Sequence, residues 1–339
     1  MIAKDAILYA LMTTLVVGAT GGFGAGVVRE LDRRGHPVRA FVRDPAKAAR
    51  VLGPTRHTQL ITGNVVDTPA LLTAAEGCTT LVHAVNYPLH EWTPNMERAT
   101  ANIIAAARNA ARREPVTLLL PGNVYGLGPQ TDRPLTEDAP ANPNSDKGRL
   151  RVKLENMLSD AATESRERVR VLIVRAGDHF GPTVRNSLVD RVFGHAVERK
   201  PMQVLGRLDV PHQWAFVPDL ARAVAELLLR PHKLDSFAVL NFQGHVAKPQ
   251  ESFLRLIAER AGRGTLTIKT VPWWAIGLGG VFSPEMREIK ELRYLFDSAV
   301  ILNGSRLKKL LPELAETPLE LAIDETIAAY RRDLAVGTG

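Results

Sequence analysis

The chain has 339 residues, of which 45% are hydrophobic and 23% charged, so it can bury a sizeable core, and its length suggests about two domains at roughly 150 residues each. The formal net charge is +7 at pH 7, but Lys and Arg are spread along the chain, which favours a solvated basic surface over a nucleic-acid site. Cys78 is the only cysteine, which excludes an intrachain disulfide and fits a reducing compartment, and no apolar run reaches the length of a membrane span. We therefore expect a cytoplasmic protein with neither a nucleic-acid nor a membrane partner.

Residues 1–13 are interpreted as an N-terminal extension, because their apolar run is too short to cross a bilayer and leads directly into the first strand. From residue 14 onward, short apolar strands alternate with segments of helical spacing. The predicted strands are 14–18, 37–42, 59–62, 80–85, 116–120, 169–174 and 237–241. The predicted helices between them are 24–34, 46–52, 69–76, 95–113, 147–164 and 219–229, the last with Asp219 near its N-cap. This alternation predicts an α/β fold with a doubly wound parallel (Rossmann) sheet.

The sequence beyond Lys248 has a mainly helical pattern, with predicted helices at 251–261, 284–296, 305–311 and 318–332. We expect these segments to form a smaller, mainly helical C-terminal substrate lobe over the carboxyl ends of the strands, where ligands of open α/β sheets bind. The predicted dinucleotide-binding domain comprises 14–182 and about 212–244. The predicted substrate lobe comprises about 183–211 and 245–339.

A glycine-rich loop follows the first strand, where residues 18–24 read Gly-Ala-Thr-Gly-Gly-Phe-Gly. Gly18 permits a tight turn, Gly21 lets the backbone approach a pyrophosphate, and Gly24 allows the next helix to pack closely on the strand. The N-terminus of that helix adds free N–H groups and a partial positive charge. The strand–loop–helix context therefore predicts a dinucleotide site. Its predicted contacts are Gly18, Thr20, Gly21, Gly22, Phe23 and Gly24.

The residue after the second strand bears on which dinucleotide binds. NAD sites usually carry an acidic residue there to hold the ribose 2′-hydroxyl, whereas this strand ends in Arg43, with Asp44 after it. An arginine fork can donate two hydrogen bonds to a 2′-phosphate. The sequence therefore favours NADP(H), while NAD(H) remains the alternative through Asp44.

Further motifs follow the glycine loop in order along the chain. They are 63–67 (Gly-Asn-Val-Val-Asp), His83-Ala84, 124–126 (Val-Tyr-Gly), 175–182 and 216–221. In this order they resemble the extended short-chain dehydrogenase/reductase family of the NAD-dependent epimerase/dehydratase type, from about Thr14 to Tyr330. The resemblance implies that Asn64 and Val65 flank the adenine of the cofactor. It also implies that Ala84, Val85 and Asn86 line the route to the nicotinamide, and it makes a homodimer possible.

The catalytic residues of that family are replaced in this chain. The family uses a Tyr-x-x-x-Lys pair on the helix after strand five and a nearby Ser or Thr. No tyrosine of this sequence has a lysine four residues later; the helix places Lys147 at the tyrosine position and Arg151 at the lysine position. Counting back from the 124–126 motif places Pro121 at the usual serine position. The standard mechanism cannot operate, although Arg151 can still hold the ribose and phosphates.

Several groups could handle the proton instead, and each has a structural alternative. Lys147 could act as an acid if burial and Arg151 depress its pKa, or it could be a solvated lysine at the helix start. Asp178 and His179 could form a proton relay, or they could shape a turn. Tyr125 could aim its hydroxyl at a bound carbonyl, or it could serve packing. Among the remaining aromatics, Trp273, Trp274 and Phe282 are candidates for an apolar lid, and Trp92, His212 and Trp214 for a pocket wall.

Two functions remain open on the sequence. The first is an NADP(H)-dependent oxidoreductase acting on a carbonyl, enone or sugar-like small molecule without the usual Tyr/Lys mechanism. The second is a non-catalytic protein that senses NADP(H). No His, Cys, Asp or Glu residues have metal-ligand spacing, so no metal site is expected.

Overall fold

The computed structural model describes residues 12–129, 133–262 and 267–337. The extension predicted at 1–13 lies outside these residues except for positions 12 and 13. A parallel sheet of seven strands forms the centre of the fold, in the order β10-β6-β5-β4-β1-β2-β3. Its strands are β1 (Thr14–Val17), β2 (Val38–Val42), β3 (Thr58–Thr62), β4 (Thr80–His83), β5 (Val116–Gly122), β6 (Val169–Arg175) and β10 (Phe237–Asn241). The predicted doubly wound parallel sheet is thereby confirmed.

Both faces of this sheet are covered, which explains its nearly continuous apolar strands. Successive residues of β1 alternate between two separate cores: Val16 lies in one, and Leu15 and Val17 lie in the other. The flanking helices are α1 (Gly22–Arg33), α2 (Pro45–Leu52), α3 (Thr68–Ala75), α4 (Trp92–Ala110), α5 (Asp146–Glu164) and α6 (Val217–Leu228). The strand order reverses between β1 and β4, and this reversal is where doubly wound sheets bind ligands.

Local polar caps account for several helix starts. The carboxylates of Asp44 and Asp67 accept from backbone N–H groups at the beginnings of α2 and α3, and the Ser145 hydroxyl does the same for α5. Asp219, predicted near the N-cap, lies in the first turn of α6, which begins two residues earlier than predicted, at Val217. Asp219 is buried there and accepts hydrogen bonds from the backbone N–H and the hydroxyl of Thr317, at 2.7 and 2.6 Å.

The rest of the chain contains more strands than its pattern predicts. Strands β7 (Asp178–Phe180), β9 (His212–Phe216) and β11 (His245–Ala247) form a three-stranded sheet, while β8 (Met202–Leu205) pairs with β12 (Ile268–Val271). Helical residues 187–197 include a π-helical stretch, Asp190–Gly194. The remaining helices are α7 (Gln250–Arg260), α8 (Trp273–Phe282), α9 (Pro284–Glu291), α10 (Tyr294–Asp297), α11 (Ser305–Leu310) and α12 (Leu319–Gly337). The helix predicted at 284–296 is therefore two helices, α9 and α10.

An aromatic core holds these later elements together. Trp214 of β9 stacks on Phe253 of α7 with ring centroids 4.7 Å apart, and Phe180 of β7 contacts both rings. Trp214 is fully buried in this core, so the interpretation of Trp214 as a pocket wall is wrong. Among the described residues, no helix combines the length and the apolar character needed to cross a bilayer.

Candidate functional site

The glycine loop has the geometry that its spacing predicts. Gly18 has a φ of +92°, and a Cβ there would lie 2.4 Å from the carbonyl oxygen of Ala84. A Cβ on Gly24 would lie 2.3 Å from the Gly18 carbonyl oxygen. These two glycines are therefore required by the turn and by the close packing of α1 on the sheet.

Gly21 differs from its neighbours, because the fold itself does not require a glycine there. It has extended backbone angles, and a Cβ would find its nearest protein atom, the Gly18 carbonyl oxygen, at 3.4 Å. Gly21 is exposed at the N-terminus of α1, where free N–H groups face outward. The open space above Gly21 thus fits the close approach of an anionic ligand.

Residues that follow β6 pack against the glycine loop. The Thr183 hydroxyl donates to the carbonyl oxygen of Gly22 at 2.7 Å, and a Cβ on Gly22 would lie 3.1 Å from the Cα of Val184. The ring of Phe23 stacks on His179, with centroids 6.1 Å apart. The loop that would hold a dinucleotide is therefore in direct contact with the segment predicted to contact substrate.

The residues predicted to select the adenosine half of the cofactor lie at the ends of β2 and β3. Arg43 is exposed and forms no ion pair within the described part of the chain. The Asp44 carboxylate accepts from the Lys47 backbone N–H at 2.9 Å and so caps α2. Asn64 is exposed, whereas Val65 is buried. The side chain most available to a ribose substituent at this position is thus a cation.

The residues predicted to lie along the nicotinamide route follow β4. The backbone N–H of Ala84 donates to the Val17 carbonyl at 2.8 Å, which keeps this segment against β1. Ala84 is buried, Val85 is half-buried and Asn86 is exposed. The segment therefore runs outward from the carboxyl end of the sheet, beside the glycine loop.

A stack of three side chains stands where β4 and β5 end. The Arg151 guanidinium lies over the Trp92 ring, 4.6 Å from its centroid, and the Trp92 ring stacks on Tyr125 at 5.8 Å. Nη1 of Arg151 donates to the carbonyl oxygen of Pro121 at 3.4 Å. Nε of Arg151 is enclosed and has no hydrogen-bond acceptor among the described residues. An enclosed guanidinium with an unused N–H group is suited to an oxygen-bearing ligand.

The electrostatics of this stack keep its tyrosine protonated. Burial raises the pKa of Tyr125 well above its usual value, the negative charge of Asp178 adds to the rise, and the positive charge of Arg151 opposes it. Burial lowers the pKa of the Arg151 guanidinium. The backbone of Tyr125 is held separately, because the Tyr294 hydroxyl donates to its carbonyl oxygen at 3.1 Å.

Lys147 is not the solvated lysine that one interpretation expected. Its side chain is 3% exposed, its ammonium pairs with Glu288 of α9, and its backbone N–H donates to Glu291 at 2.9 Å. The position predicted to correspond to the family tyrosine therefore holds an ion pair between Lys147 and Glu288.

No direct hydrogen bond joins Asp178 and His179 in the described part of the chain, where they are successive residues of strand β7, and their relay stays a prediction. The carboxylate of Asp178 instead accepts from Nε2 of His212 at 2.8 Å. Burial lowers the pKa of His179 to about 4, so this imidazole is neutral near pH 7. The Asp178–His212 pair forms because strands β7 and β9 are neighbours in one sheet, and no local sequence pattern predicts that pairing.

The predicted aromatic lid is also different in the structure. Trp273 is half-buried, packs on Phe296 at 6.1 Å and donates from Nε1 to Asp297 at 3.2 Å. The side chains of Trp274 and Phe282 point into solvent. These two aromatics therefore do not cover the site.

Comparison with known proteins identifies a family and several similar proteins. The model of the NAD dependent epimerase/dehydratase family matches residues 14–242. The chain is 31% identical over 230 residues to sterol demethylase protein B of Methylococcus capsulatus, covering 64% of this chain and 65% of the relative. It is 27% identical over 186 residues to 3-diazoavenalumate denitrifying reductase of a Streptomyces species, covering 50% and 57%. The solved structure of dTDP-glucose 4,6-dehydratase of Bacillus anthracis with NAD matches with a TM-score of 0.76 at 14% identity, over 96% of this chain and 98% of that chain.

These matches differ in how far they reach. The alignments span less than two thirds of the length of either curated relative. At 14% identity the solved structure establishes the fold alone.

Proposed function

The chain belongs to the NAD-dependent epimerase/dehydratase family, and on that premise we propose that it is an NADP(H)-dependent oxidoreductase acting on a carbonyl, enone or sugar-like small molecule. The family model spans the glycine loop, the ends of β2 to β6 and the residues of the aromatic stack. The resemblance inferred from the ordered motifs is thereby confirmed. The NADP(H) preference, the substrate and the catalytic residues are parts of the proposal.

The cofactor would lie along the carboxyl edge of the sheet. The open space above Gly21 fits a pyrophosphate at the N-terminus of α1. Arg43, which is exposed and has no ion pair among the described residues, would fit a 2′-phosphate, while Asp44 caps α2. These features support the proposed preference for NADP(H).

The enclosed guanidinium of Arg151 is the observation that carries the proposed activity. It stands at the position of the family lysine with an unused Nε–H, next to a tyrosine whose hydroxyl stays protonated. A bound NADPH would supply the hydride. Arg151 would then stabilise negative charge on the substrate oxygen, since preorganised donors in a site with little water contribute most to such reactions. Tyr125, the Asp178–His212 pair or water would deliver the proton.

The relatives favour redox chemistry over simple binding. The two curated relatives carry the names of a sterol demethylase protein and a denitrifying reductase, and the solved neighbour is a dehydratase holding NAD. Hydride transfer needs the reactants held in line, and orientation alone can lower the barrier substantially. Loss of the family tyrosine is thus compatible with an active enzyme.

One observation favours the second candidate, a protein that senses NADP(H) without turning it over. Lys147 is locked by Glu288 at the tyrosine position, and Pro121 stands where the family carries a hydroxyl. A proline has no side-chain proton to donate, and the Lys147 ammonium is held by the Glu288 carboxylate. A sensor would bind the dinucleotide tightly and leave every substrate unchanged.

A substrate panel followed by NADPH absorbance tests the proposal. Replacing the guanidinium in Arg151→Met should lower turnover about 100-fold, the usual cost of removing one oxyanion donor. Arg149→Met is the matched control, because Arg149 lies on the same helix but is exposed and paired with Asp146. Equal turnover by wild type and Arg151→Met would contradict the assignment of Arg151. Tight NADPH binding without turnover across the panel would establish the sensor instead.

A further inference from the structure

Helix α8 exposes an apolar stripe that nothing in the described chain covers. The side chains of Trp274, Leu278, Val281 and Phe282 are 70, 63, 67 and 89% exposed. Their spacing of i, i+4, i+7 and i+8 places them on one face of the helix. They are the four most exposed large hydrophobic side chains in the described residues. We call this set of four residues the α8 ridge.

The opposite side of α8 is used in packing, so the helix is fixed with the ridge outward. Ile276 and Gly280 are buried. A Cβ on Gly279 would lie 2.2 Å from the sulfur of Met286 on α9, which shows how closely the two helices approach. The Arg287 guanidinium donates to the Gly280 carbonyl oxygen at 3.1 Å. The α8 ridge is therefore the outer face of a packed helical hairpin.

Basic side chains border the ridge. Lys290 is exposed, and its Nζ lies 3.7 Å from where a Cβ of Gly277 would be. Together with Arg293, whose guanidinium lies 5.5 Å from the Trp273 ring centroid, Lys290 borders a groove of about 540 Å³. The apolar lining of that groove is Trp273, Trp274, Gly277 and Leu278.

The carboxylates of the hairpin are mostly engaged elsewhere. Glu288 and Glu291 bind Lys147, and Asp297 binds Arg293. Glu285, in the first turn of α9, is the acidic residue that stays exposed. The edge of the groove beside the α8 ridge therefore presents the exposed ammonium of Lys290, which has no carboxylate partner among the described residues, next to an apolar floor.

We propose that the α8 ridge docks into the interfacial region of an anionic phospholipid bilayer, with Lys290 against lipid phosphates. Tryptophan and phenylalanine on one face with lysine and arginine beside it are the features of helices that lie in a membrane interface. The ten residues of α8 span about 15 Å, half the hydrocarbon thickness of roughly 30 Å, so the helix lies on the membrane and does not cross it. This docking goes beyond the proposed oxidoreductase activity and does not depend on it.

A second copy of the chain fits the ridge less well. Two aromatic side chains of roughly 150–250 Å² each and two smaller aliphatic ones supply about 600 Å² when buried, and a stable interface buries about 800 Å² on each partner. Anionic lipid headgroups, in addition, would pair with the exposed ammonium of Lys290.

Co-sedimentation with vesicles tests the proposal. The full-length protein should pellet with vesicles of equimolar phosphatidylglycerol and phosphatidylcholine. The double variant Leu278→Ser/Phe282→Ser should reduce the partition coefficient at least about tenfold, because it removes two inserted apolar side chains. Both positions are exposed, so circular dichroism should show an unchanged fold. Leu60→Ser, at a partly exposed leucine of β3, is the matched control and should bind as wild type does.

A separate variant measures how much the charge of Lys290 contributes to vesicle binding. Lys290→Gln should weaken binding to the anionic vesicles about fivefold and leave any residual binding to pure phosphatidylcholine unchanged. Wild-type protein that stays in the supernatant, or a double variant that binds as tightly as wild type, would overturn the proposal. Concentration-dependent dimerisation that the double variant abolishes, without vesicle binding, would assign the ridge to contact between copies.

Discussion

Gly21→Ala tests the cofactor site directly, because it adds a single methyl group to the glycine loop. Gly21→Ala adds a Cβ whose nearest protein atoms, the carbonyl oxygens of Gly18 and Ala84, lie at 3.4 and 3.8 Å. These are ordinary contact distances, and the φ of −77° suits alanine. The free energy of unfolding should therefore change by less than about 0.5 kcal/mol. The methyl group nevertheless occupies the open space at the N-terminus of α1 where the pyrophosphate is expected.

The size of the binding defect follows from the hydrogen bonds that the methyl group blocks. One charge-assisted hydrogen bond between a backbone N–H and a phosphate contributes about 1.5–3 kcal/mol. Losing one such bond should raise the Kd for NADPH roughly 10- to 150-fold. Isothermal titration calorimetry measures the Kd, and urea denaturation of the same preparation measures stability.

Gly24→Ala is the matched variant with the opposite expectation. Its Cβ would lie 2.3 Å from the Gly18 carbonyl oxygen and 3.1 Å from the Ala84 Cβ, so the helix must shift away from the sheet. Overpacking of this kind costs about 1–3 kcal/mol of stability. If Gly21→Ala binds NADPH within twofold of wild type, the pyrophosphate does not lie on this loop. If Gly24→Ala is as stable as wild type, the close packing described above is wrong.

Three further predictions follow from the site. Arg43→Ala should raise the Kd for NADPH about 10- to 100-fold and leave the Kd for NADH unchanged, because only the 2′-phosphate loses a partner; equal effects in calorimetry would reject NADP(H) selection by Arg43. Lys147→Met should lower the free energy of unfolding by about 1–3 kcal/mol, which is less than the cost of breaking a fully buried ion pair because Glu288 is 24% exposed. The double variant Lys147→Met/Glu288→Gln should recover part of that loss. A Lys147→Met variant as stable as wild type in urea denaturation would show that the pair does not stabilise the fold. Burial lowers the pKa of His83 from an ordinary 6.5 to about 3. Its contribution to the free energy of unfolding is therefore complete above pH 6.5 and declines as the pH falls below that value, by up to about 1.4 kcal/mol per pH unit. His83→Asn should therefore flatten the dependence of stability on pH, and an unchanged slope in urea denaturation at several pH values would contradict this.

The central sheet could be predicted because its signals are local. Each parallel strand is an apolar run covered on both faces, so Thr14–Val17 and its neighbours can be recognised without knowing what they pack against. Strands β7 and β11 have three residues each, and β9 is a buried strand of five residues in a small mixed sheet. Their pairing depends on the aromatic core around Trp214, which assembles residues far apart in sequence. No window of a few residues carries that information.

The same distinction applies to the candidate site. The glycine loop could be inferred from spacing, and the position of Lys147 relative to the family tyrosine was implied by the resemblance. The partners of Lys147 and Asp178 could not be inferred, because Glu288 is 141 residues from Lys147 and His212 is 34 residues from Asp178. The sequence suggested His179 as the partner of Asp178 because the two are adjacent, whereas the Asp178 carboxylate accepts a hydrogen bond from His212 on a neighbouring strand.

The ion pair at the tyrosine position also bears on where the proton can come from. Glu288 anchors the α8–α9 hairpin to the start of α5, and Tyr294 of α10 donates to the backbone of Tyr125. One docked segment therefore immobilises the residue that has lost the family role and positions the residue that could assume it. Lys147→Met should consequently disturb Tyr125 as well as stability, because releasing α9 also releases Tyr294. If turnover falls in both Lys147→Met/Glu288→Gln and Tyr125→Phe while NADPH binding is retained, the hairpin acts through Tyr125. Normal turnover in the double variant would show that the hairpin contacts do not affect the role of Tyr125.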